Sequence, residues 1–239
     1  MEEKGLSLDD GANGVAFNTY FQRQIELWGA ETQRTLQEKK IAIIGCGGLG
    51  SSLALALGSS GIGTIHFVDF DTVSLHNIHR QIVFTLADEG ASKSIVVSEA
   101  VRSRNPFVSV RAFPMDFDTF SSLENDYDLI IDATDNLPVR ERIDRWAREQ
   151  GTPWIYWSVE AFNGQVCFFD RASFRVFAVN DRTPAGIAAP IVMHIASLQA
   201  NLALRYLAGL SVEKDKLSYL YFDEAGGLIT QKFEMPAEA

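Results

Sequence analysis

Four glycines, Gly45, Gly47, Gly48 and Gly50, form the run GCGGLG between an apolar stretch and a segment rich in Ala, Leu and Ser. In that pattern, backbone amides at a helix N-terminus can approach phosphate oxygens with no Cβ in the way. Asp69 lies 19 residues beyond Gly50, at the end of the next apolar run, where a carboxylate can accept hydrogen bonds from ribose hydroxyls. Turn and acid together read as a nucleotide site, against a plainer reading in which the glycines only let helix and strand pack closely. Two chemistries remain open at this point: hydride transfer with a nicotinamide cofactor, or cleavage of ATP.

The following stretch, DFDTVSLHNIHRQIVF, adds Asp71, Asn77, Arg80 and Gln81, and Lys93 comes soon after in GASKS. Hydride transfer has no need of two cations beside the phosphates. Displacing pyrophosphate from ATP does, because charge accumulates on the phosphates in the transition state and must be met by fixed donors. The run DATDN then supplies Asp132 and Asp135 at a strand end, where a carboxylate can hold Mg²⁺. Taken singly, Arg80 and Lys93 also read as surface cations, and Asp135 as the N-cap of a helix starting near Leu137.

These residues need a scaffold. KIAIIG reads as a strand buried on both faces, since it is continuously apolar and β-branched. A helix from about Leu49 to Gly58 and the strand TIHFVD follow. A third unit has a helix around Ala91 to Asn105, the strand SVRAFP and a short helix near Phe117 to Asn125. YDLIIDAT is another buried strand, with a helix from Leu137 to Gln150 behind it, and PWIYWSV and GQVCFFD are two more strands, the second antiparallel. This alternation predicts an α/β fold: a Rossmann-like, doubly wound, mostly parallel sheet with an antiparallel C-terminal extension, its ligands at the carboxyl ends of the strands. Residues 1–18 read as a flexible N-terminal segment. Residues 19–239 read as a single ATP-binding domain, led by one or two short helices between Tyr20 and Leu36.

Composition bounds the partners. With a net charge of −10 and a pI near 4.9, the chain lacks the surplus of Lys and Arg that nucleic-acid binding requires. No apolar run reaches the ~20 residues of a membrane span, and a cytoplasmic protein is expected. Two cysteines, Cys46 and Cys167, offer neither a disulfide framework nor a closed zinc site, and both read as small buried residues. Of the four histidines, His66 and His194 read as satisfied structural residues, whereas His76 and His79 flank Asn77 and Arg80 and stay open.

The ordered set RQIELWG, IIGCGGLGSS, DFDTVSLHNIHRQ, GASKS, NPFVSV, DATDN and AAPIVMHIASLQANLALRYLAG resembles the MoeB/ThiF/HesA adenylyltransferases, prokaryotic relatives of ubiquitin-activating enzymes, from about Tyr20 to Phe233. The resemblance implies a homodimer that uses ATP and Mg²⁺. Its substrate would be the C-terminal Gly-Gly carboxylate of a ubiquitin-like sulfur-carrier protein, adenylated with release of pyrophosphate, as in thiamin- or molybdopterin-type sulfur transfer. Carried over, Gly45, Gly47, Gly48, Gly50, Asp69, Asp71, Asn77, Arg80, Gln81 and Lys93 would bind the nucleotide, and Asp135 the magnesium. Arg23 would reach into the partner subunit's site.

The chain departs from that family in three places. Ser173 and Val176 stand where relatives carry a zinc-binding CxxC pair, and the tail has no cysteine, so no zinc is expected and Phe174 and Phe177 are expected to replace it by packing. The loop NDRTPAGIAAP lacks the cysteine that some relatives use for a persulfide or thioester. Tyr156 and Trp157 replace small residues beside the channel for the carrier's tail, and read either as core filling or as a reshaped channel. Against the adenylating enzyme stand two other readings. An NAD-dependent oxidoreductase accounts for the glycines and Asp69 but not for Arg80, Lys93 and Asp135. A nucleotide- or carrier-binding homologue without turnover accounts for the missing cysteines but not for the retained charges.

Overall fold

The structure, a computed structural model, describes residues 15–123, 126–177 and 186–236; the expected flexible segment falls largely on 1–14 and the cysteine-free loop largely on 178–185, both outside the described residues. Helix α1 (Phe17–Tyr20) starts inside the segment read as flexible, because the Phe17 ring is buried against Phe21 and Phe107. Helix α2 (Gln22–Gln37) breaks at Gly29, where φ is 88°, giving the two short helices that the sequence allowed. Then follow β1 (Lys40–Ile44), α3 (Gly48–Gly58), β2 (Thr64–Val68), α4 (Lys93–Arg102), β3 (Ser109–Phe113), α5 (Phe117–Leu123), β4 (Leu129–Asp132), α6 (Leu137–Gln150), β5 (Trp154–Glu160) and β6 (Asn163–Phe169). The long helix α7 (Ala189–Leu207) precedes a final hairpin, β7 (Lys216–Phe222) and β8 (Leu228–Glu234), whose strands no motif announces.

One sheet holds all eight strands in the order β3-β2-β1-β4-β5-β6-β7-β8. The first five are parallel and the last three antiparallel, as expected. Order reverses between β1 and β4, which start apart in the chain and pair as neighbours, so a ligand crevice opens at their carboxyl ends. The central strands β1, β2 and β4 are largely apolar because helices cover both faces, whereas the edge strand β3 leaves Ser109 and Arg111 exposed. On one face Ile41, Ile43, Ile65 and Phe67 pack with Leu53, Val97 and Ile195 from α3, α4 and α7. On the other, Ala42, Ile44 and Ile130 pack with Phe120 of α5 and Ile143 and Trp146 of α6. No helix among the described residues is long and apolar enough to cross a membrane.

Phe174 is almost fully buried, with ring centroids 5.2 Å from Tyr156, 5.9 Å from Trp154 and 5.1 Å from Phe177, so these rings form an aromatic cluster at this corner of the fold. Ser173 donates its hydroxyl to Asp144 Oδ2 at 3.0 Å, and Trp154 Nε1 donates to Oδ1 at 3.1 Å. Burial outweighs these bonds and pushes the Asp144 carboxyl above its ordinary range. A raised folded-state value means that the folded protein holds this proton more tightly than the unfolded chain, so its contribution to stability is present in acid and lost as pH rises through the raised value. The stability of the native sequence relative to Asp144→Asn is therefore expected to fall as pH rises from the ordinary carboxylate range toward neutrality. Urea midpoints of the two proteins across that range test the sign; a difference that grows with pH contradicts it.

His66 is buried with Nδ1 2.8 Å from the Tyr127 hydroxyl, a satisfied structural histidine as read. His194 differs: it lies on the exposed side of α7, since the apolar stripe of that helix runs through Ile191, Val192 and Ile195. Both cysteines are fully buried, and burial pushes both thiols up, which leaves them inert at neutral pH.

Candidate nucleotide and carboxylate site

The glycine turn joins β1 to the N-terminus of α3, whose Ncap Gly47 offers no side-chain cap, so the first amides of the helix stay available. Two of its glycines are required by contact. Gly45 has φ of 100°, and a Cβ there would come within 2.6 Å of the Ala133 carbonyl oxygen; at Gly50 a Cβ would meet the Gly45 carbonyl oxygen at 2.0 Å. The turn thus lies directly on the peptide that follows β4, in the crevice where strand order reverses.

Asp69 follows β2 and accepts from the amides of Cys46 at 2.6 Å and Asp71 at 2.8 Å. Burial raises its carboxyl, opposed by those two amides and then by the Lys93 charge. Each of its oxygens keeps a second lone-pair direction, which is what a ribose hydroxyl needs. Lys93, at the start of α4, is nearly buried and donates to Asp71 Oδ2 at 2.9 Å. That bond uses one of three ammonium donors, and Asp71 fixes where the charge sits.

The segment after β2 folds back over the turn. A Cβ at Gly48 would lie 3.6 Å from the Arg80 carbonyl oxygen, and one at Gly47 would lie 3.5 Å from Gln81 Nε2. Asn77 is buried, and its Oδ1 accepts from Arg80 Nη2 at 3.2 Å, which orients the guanidinium. Gln81 Oε1 is buried with no hydrogen-bond partner among the described residues. His76 and His79 are exposed, joined by a contact of His79 Nδ1 with the His76 carbonyl oxygen at 3.0 Å.

Asp132 and Asp135 part company. Asp132 is fully buried: Oδ1 accepts from the Thr134 amide at 2.9 Å and hydroxyl at 2.7 Å, and Oδ2 from Arg140 Nε at 3.0 Å. Fully buried and paired with Arg140, it is not presented to a metal, contrary to the reading that set it beside Asp135. Asp135 is exposed and has no hydrogen bond or ion pair among the described residues. Nor is it the helix cap: Asn136 takes that place, accepting from the Val139 amide at 3.1 Å. An exposed carboxylate beside the nucleotide turn, free of structural duty, suits Mg²⁺, which takes one or two carboxylates together with phosphate oxygens and water.

The turn, Asp69, Asp71, Asn77, Arg80, Gln81, Lys93 and the Asp135 loop are therefore assembled at one end of the sheet. Arg23 is not among them. It is almost fully exposed at the start of α2, paired with Glu26 at 2.9 Å. The neighbouring Gln24 donates to the carbonyl of Ser60, just past the far end of α3. Eleven residues of helix separate that end from the glycine turn, about 16 Å.

Sequence reasoning passed over Arg140, Thr134 and Gln199. Gln199 of α7 donates to the Asp132 carbonyl at 3.0 Å, and Arg140 reaches back from the first turn of α6. The only local signal was an Arg eight positions after an Asp that ends a buried strand, a spacing common in unrelated proteins.

The ThiF family model matches residues 21–239. The chain belongs to the ThiF family. Among relatives of this ThiF-family chain, a sulfur carrier protein adenylyltransferase of Thermus thermophilus is 30% identical over 200 residues, covering 76% of this chain and 74% of that protein. A molybdopterin-synthase adenylyltransferase of Escherichia coli is 32% identical over 203 residues, 79% of this chain and 82% of the relative. A crystal structure of E. coli MccB with AMPCPP and MccA superposes with a TM-score of 0.80 at 21% identity over 92% of this chain and 73% of that one, a likeness of fold.

Proposed function

We propose that this ThiF-family protein is an ATP-dependent adenylyltransferase that activates the C-terminal Gly-Gly carboxylate of a ubiquitin-like sulfur-carrier protein, forming acyl-adenylate and pyrophosphate. The observation that carries the reading is the company kept by the glycine turn: two cations, Arg80 and Lys93, and a carboxylate without structural work, Asp135, on the same crevice. A nicotinamide site has no use for that set. The activity and the substrate class follow those of the adenylyltransferase relatives.

In this reading the amides at the start of α3 bind phosphate oxygens and Asp69 binds the ribose. The substrate carboxylate is ionised at neutral pH, so no general base is required. One of its oxygens attacks the α-phosphorus, the bond to the bridging oxygen breaks, and pyrophosphate leaves with that electron pair. Arg80 and Lys93 neutralise charge that grows on the leaving phosphates, and they do so without reorganising, because Asn77 and Asp71 already hold them. Asp135 would hold Mg²⁺, which when bound shields the phosphate oxygens. Both thiols are buried, so the acyl group has no accessible cysteine to move to among the described residues, and the acyl-adenylate is the end product on this chain.

Arg23 lies too far from its own turn to serve it, which supports a homodimer in which it serves the partner subunit's site. The test of the whole reading is ATP–pyrophosphate exchange with purified protein and magnesium, run against a panel of Gly-Gly-ending sulfur carriers. Exchange with one carrier, lost in Asp135→Ala, is expected. ATP binding with no exchange on any carrier or carrier-tail peptide would leave a nucleotide-binding homologue instead.

A further inference from the structure

Tyr156 and Trp157, adjacent on β5, both face one buried cation. The central carbon of the Arg140 guanidinium lies 5.3 Å from the Tyr156 ring centroid and 5.2 Å from that of Trp157. The same guanidinium donates from Nε to Asp132 and from Nη2 to the Thr134 carbonyl. Thr134 closes the loop by donating its amide and hydroxyl to Asp132. Asp132, Thr134 and Arg140 thus tie down the backbone immediately before Asp135. The same stretch seats the glycine turn, since Gly45 abuts Ala133.

Core filling does not account for the indole. Trp157 Nε1 is buried with no hydrogen-bond partner among the described residues, an unfavourable state that an apolar side chain in its place would avoid. Its π-face, in contrast, is the best of the aromatic faces for a cation, and the attraction grows as water is excluded. Arg140 is only 4% exposed. With Nε and Nη2 each donating one bond along its hydrogen-bonding edges, the guanidinium also has both aromatic rings within cation–π distance of its central carbon.

We propose that Tyr156 and Trp157 are positioning residues: together they clamp the Arg140 guanidinium, which locks the Asp132–Thr134 turn and sets the direction from which Asp135 meets the metal of Mg·ATP. The inference rests on the reading of Asp135 as the magnesium ligand. It assigns the two bulky rings a role in metal affinity rather than in recognition of the substrate tail.

The test is a series, Trp157→Phe, Trp157→Leu, Tyr156→Phe and Asp135→Ala, with two readouts besides turnover. One is Mn²⁺ affinity by EPR titration in the presence of AMPCPP; the other is the thermal midpoint. Trp157→Leu is expected to weaken Mn²⁺ binding about fivefold and to raise the Mg²⁺ concentration for half-maximal exchange by the same factor, with AMPCPP binding in the absence of metal unchanged. Trp157→Phe, which keeps a ring and loses the unpartnered N–H, should fall between Leu and Trp in metal affinity while its thermal midpoint equals or exceeds that of the native protein. Tyr156→Phe, which keeps the ring face, should match the native affinity. Native metal affinity in Trp157→Leu, or affinity that follows the thermal midpoint through the series, overturns the clamp. If Asp135→Ala loses metal affinity while Trp157→Leu does not, only the clamp falls; if Asp135→Ala keeps it, the assignment of Asp135 falls and takes the clamp with it.

Discussion

Replacing Lys93 with Ala is expected to slow carrier-dependent exchange by about two to three orders of magnitude while weakening ATP binding far less. The ammonium is held in place before the nucleotide arrives, by Asp71 at 2.9 Å and by its own burial, so its charge is preorganised for the transition state. In the proposed reading, ground-state ATP is bound largely by the helix N-terminus and Asp69, neither of which the substitution alters directly. Arg80→Ala should behave in the same way, since its guanidinium is oriented by Asn77 rather than by solvent. The fold should survive the Lys93 change, because Asp71 is half exposed and can be solvated once its partner is gone. Steady-state exchange kinetics separate the effects: a rise in KM for ATP with kcat retained would mean that Lys93 merely helps hold the nucleotide, and the assignment of a charge-neutralising role would be wrong.

Arg23→Ala should be as damaging to exchange, and it should be rescued by a second defective protein. In a dimer whose active sites each draw Arg23 from one protomer and Asp135 from the other, mixing Arg23→Ala with Asp135→Ala subunits creates one complete site per mixed dimer. Random reassortment makes half of the dimers mixed, so activity should return to roughly a quarter of the native level, from two proteins that are each inactive. The geometry behind this is the ~16 Å of α3 between Gln24's contact at Ser60 and the glycine turn, beyond what an arginine side chain covers. Among the described residues its 92% exposed side chain makes a single pair, with Glu26, a bond of little worth that a better partner can replace. Denaturing and refolding the two variants together, then assaying exchange, gives the answer. A mixture as inactive as its components would mean that each chain supplies its own arginine or needs none.

Much of this was legible in the sequence, for identifiable reasons. A turn that must approach phosphate needs glycines, and a strand covered by helices on both faces must be continuously apolar, so β1, β2 and β4 and the crevice between them followed from residue types alone. α6 was readable to its ends because Pro138 and Gly151 mark them. The final hairpin was not, since β8 is exposed over nearly its whole length and carries no alternation.

The amino-acid order by itself determined that a glycine turn, an acid after β2, two cations and a pair of aspartates lie at the carboxyl ends of the strands of a doubly wound sheet, the place the nucleotide reading assigns them. Which of the two carboxylates is free was decided only in three dimensions. Asp132 and Asp135 are three residues apart in one short polar run, and nothing local ranks them. α6 packs Arg140 onto one and the Asn136 cap spares the other. The same holds for Lys93 and Arg23, two cations that are alike as letters. One is pinned beside the turn by a helix start and an aspartate, and the other is carried to the opposite end of α3, because the position of a charge depends on the contacts that fold the chain and not on its place along it.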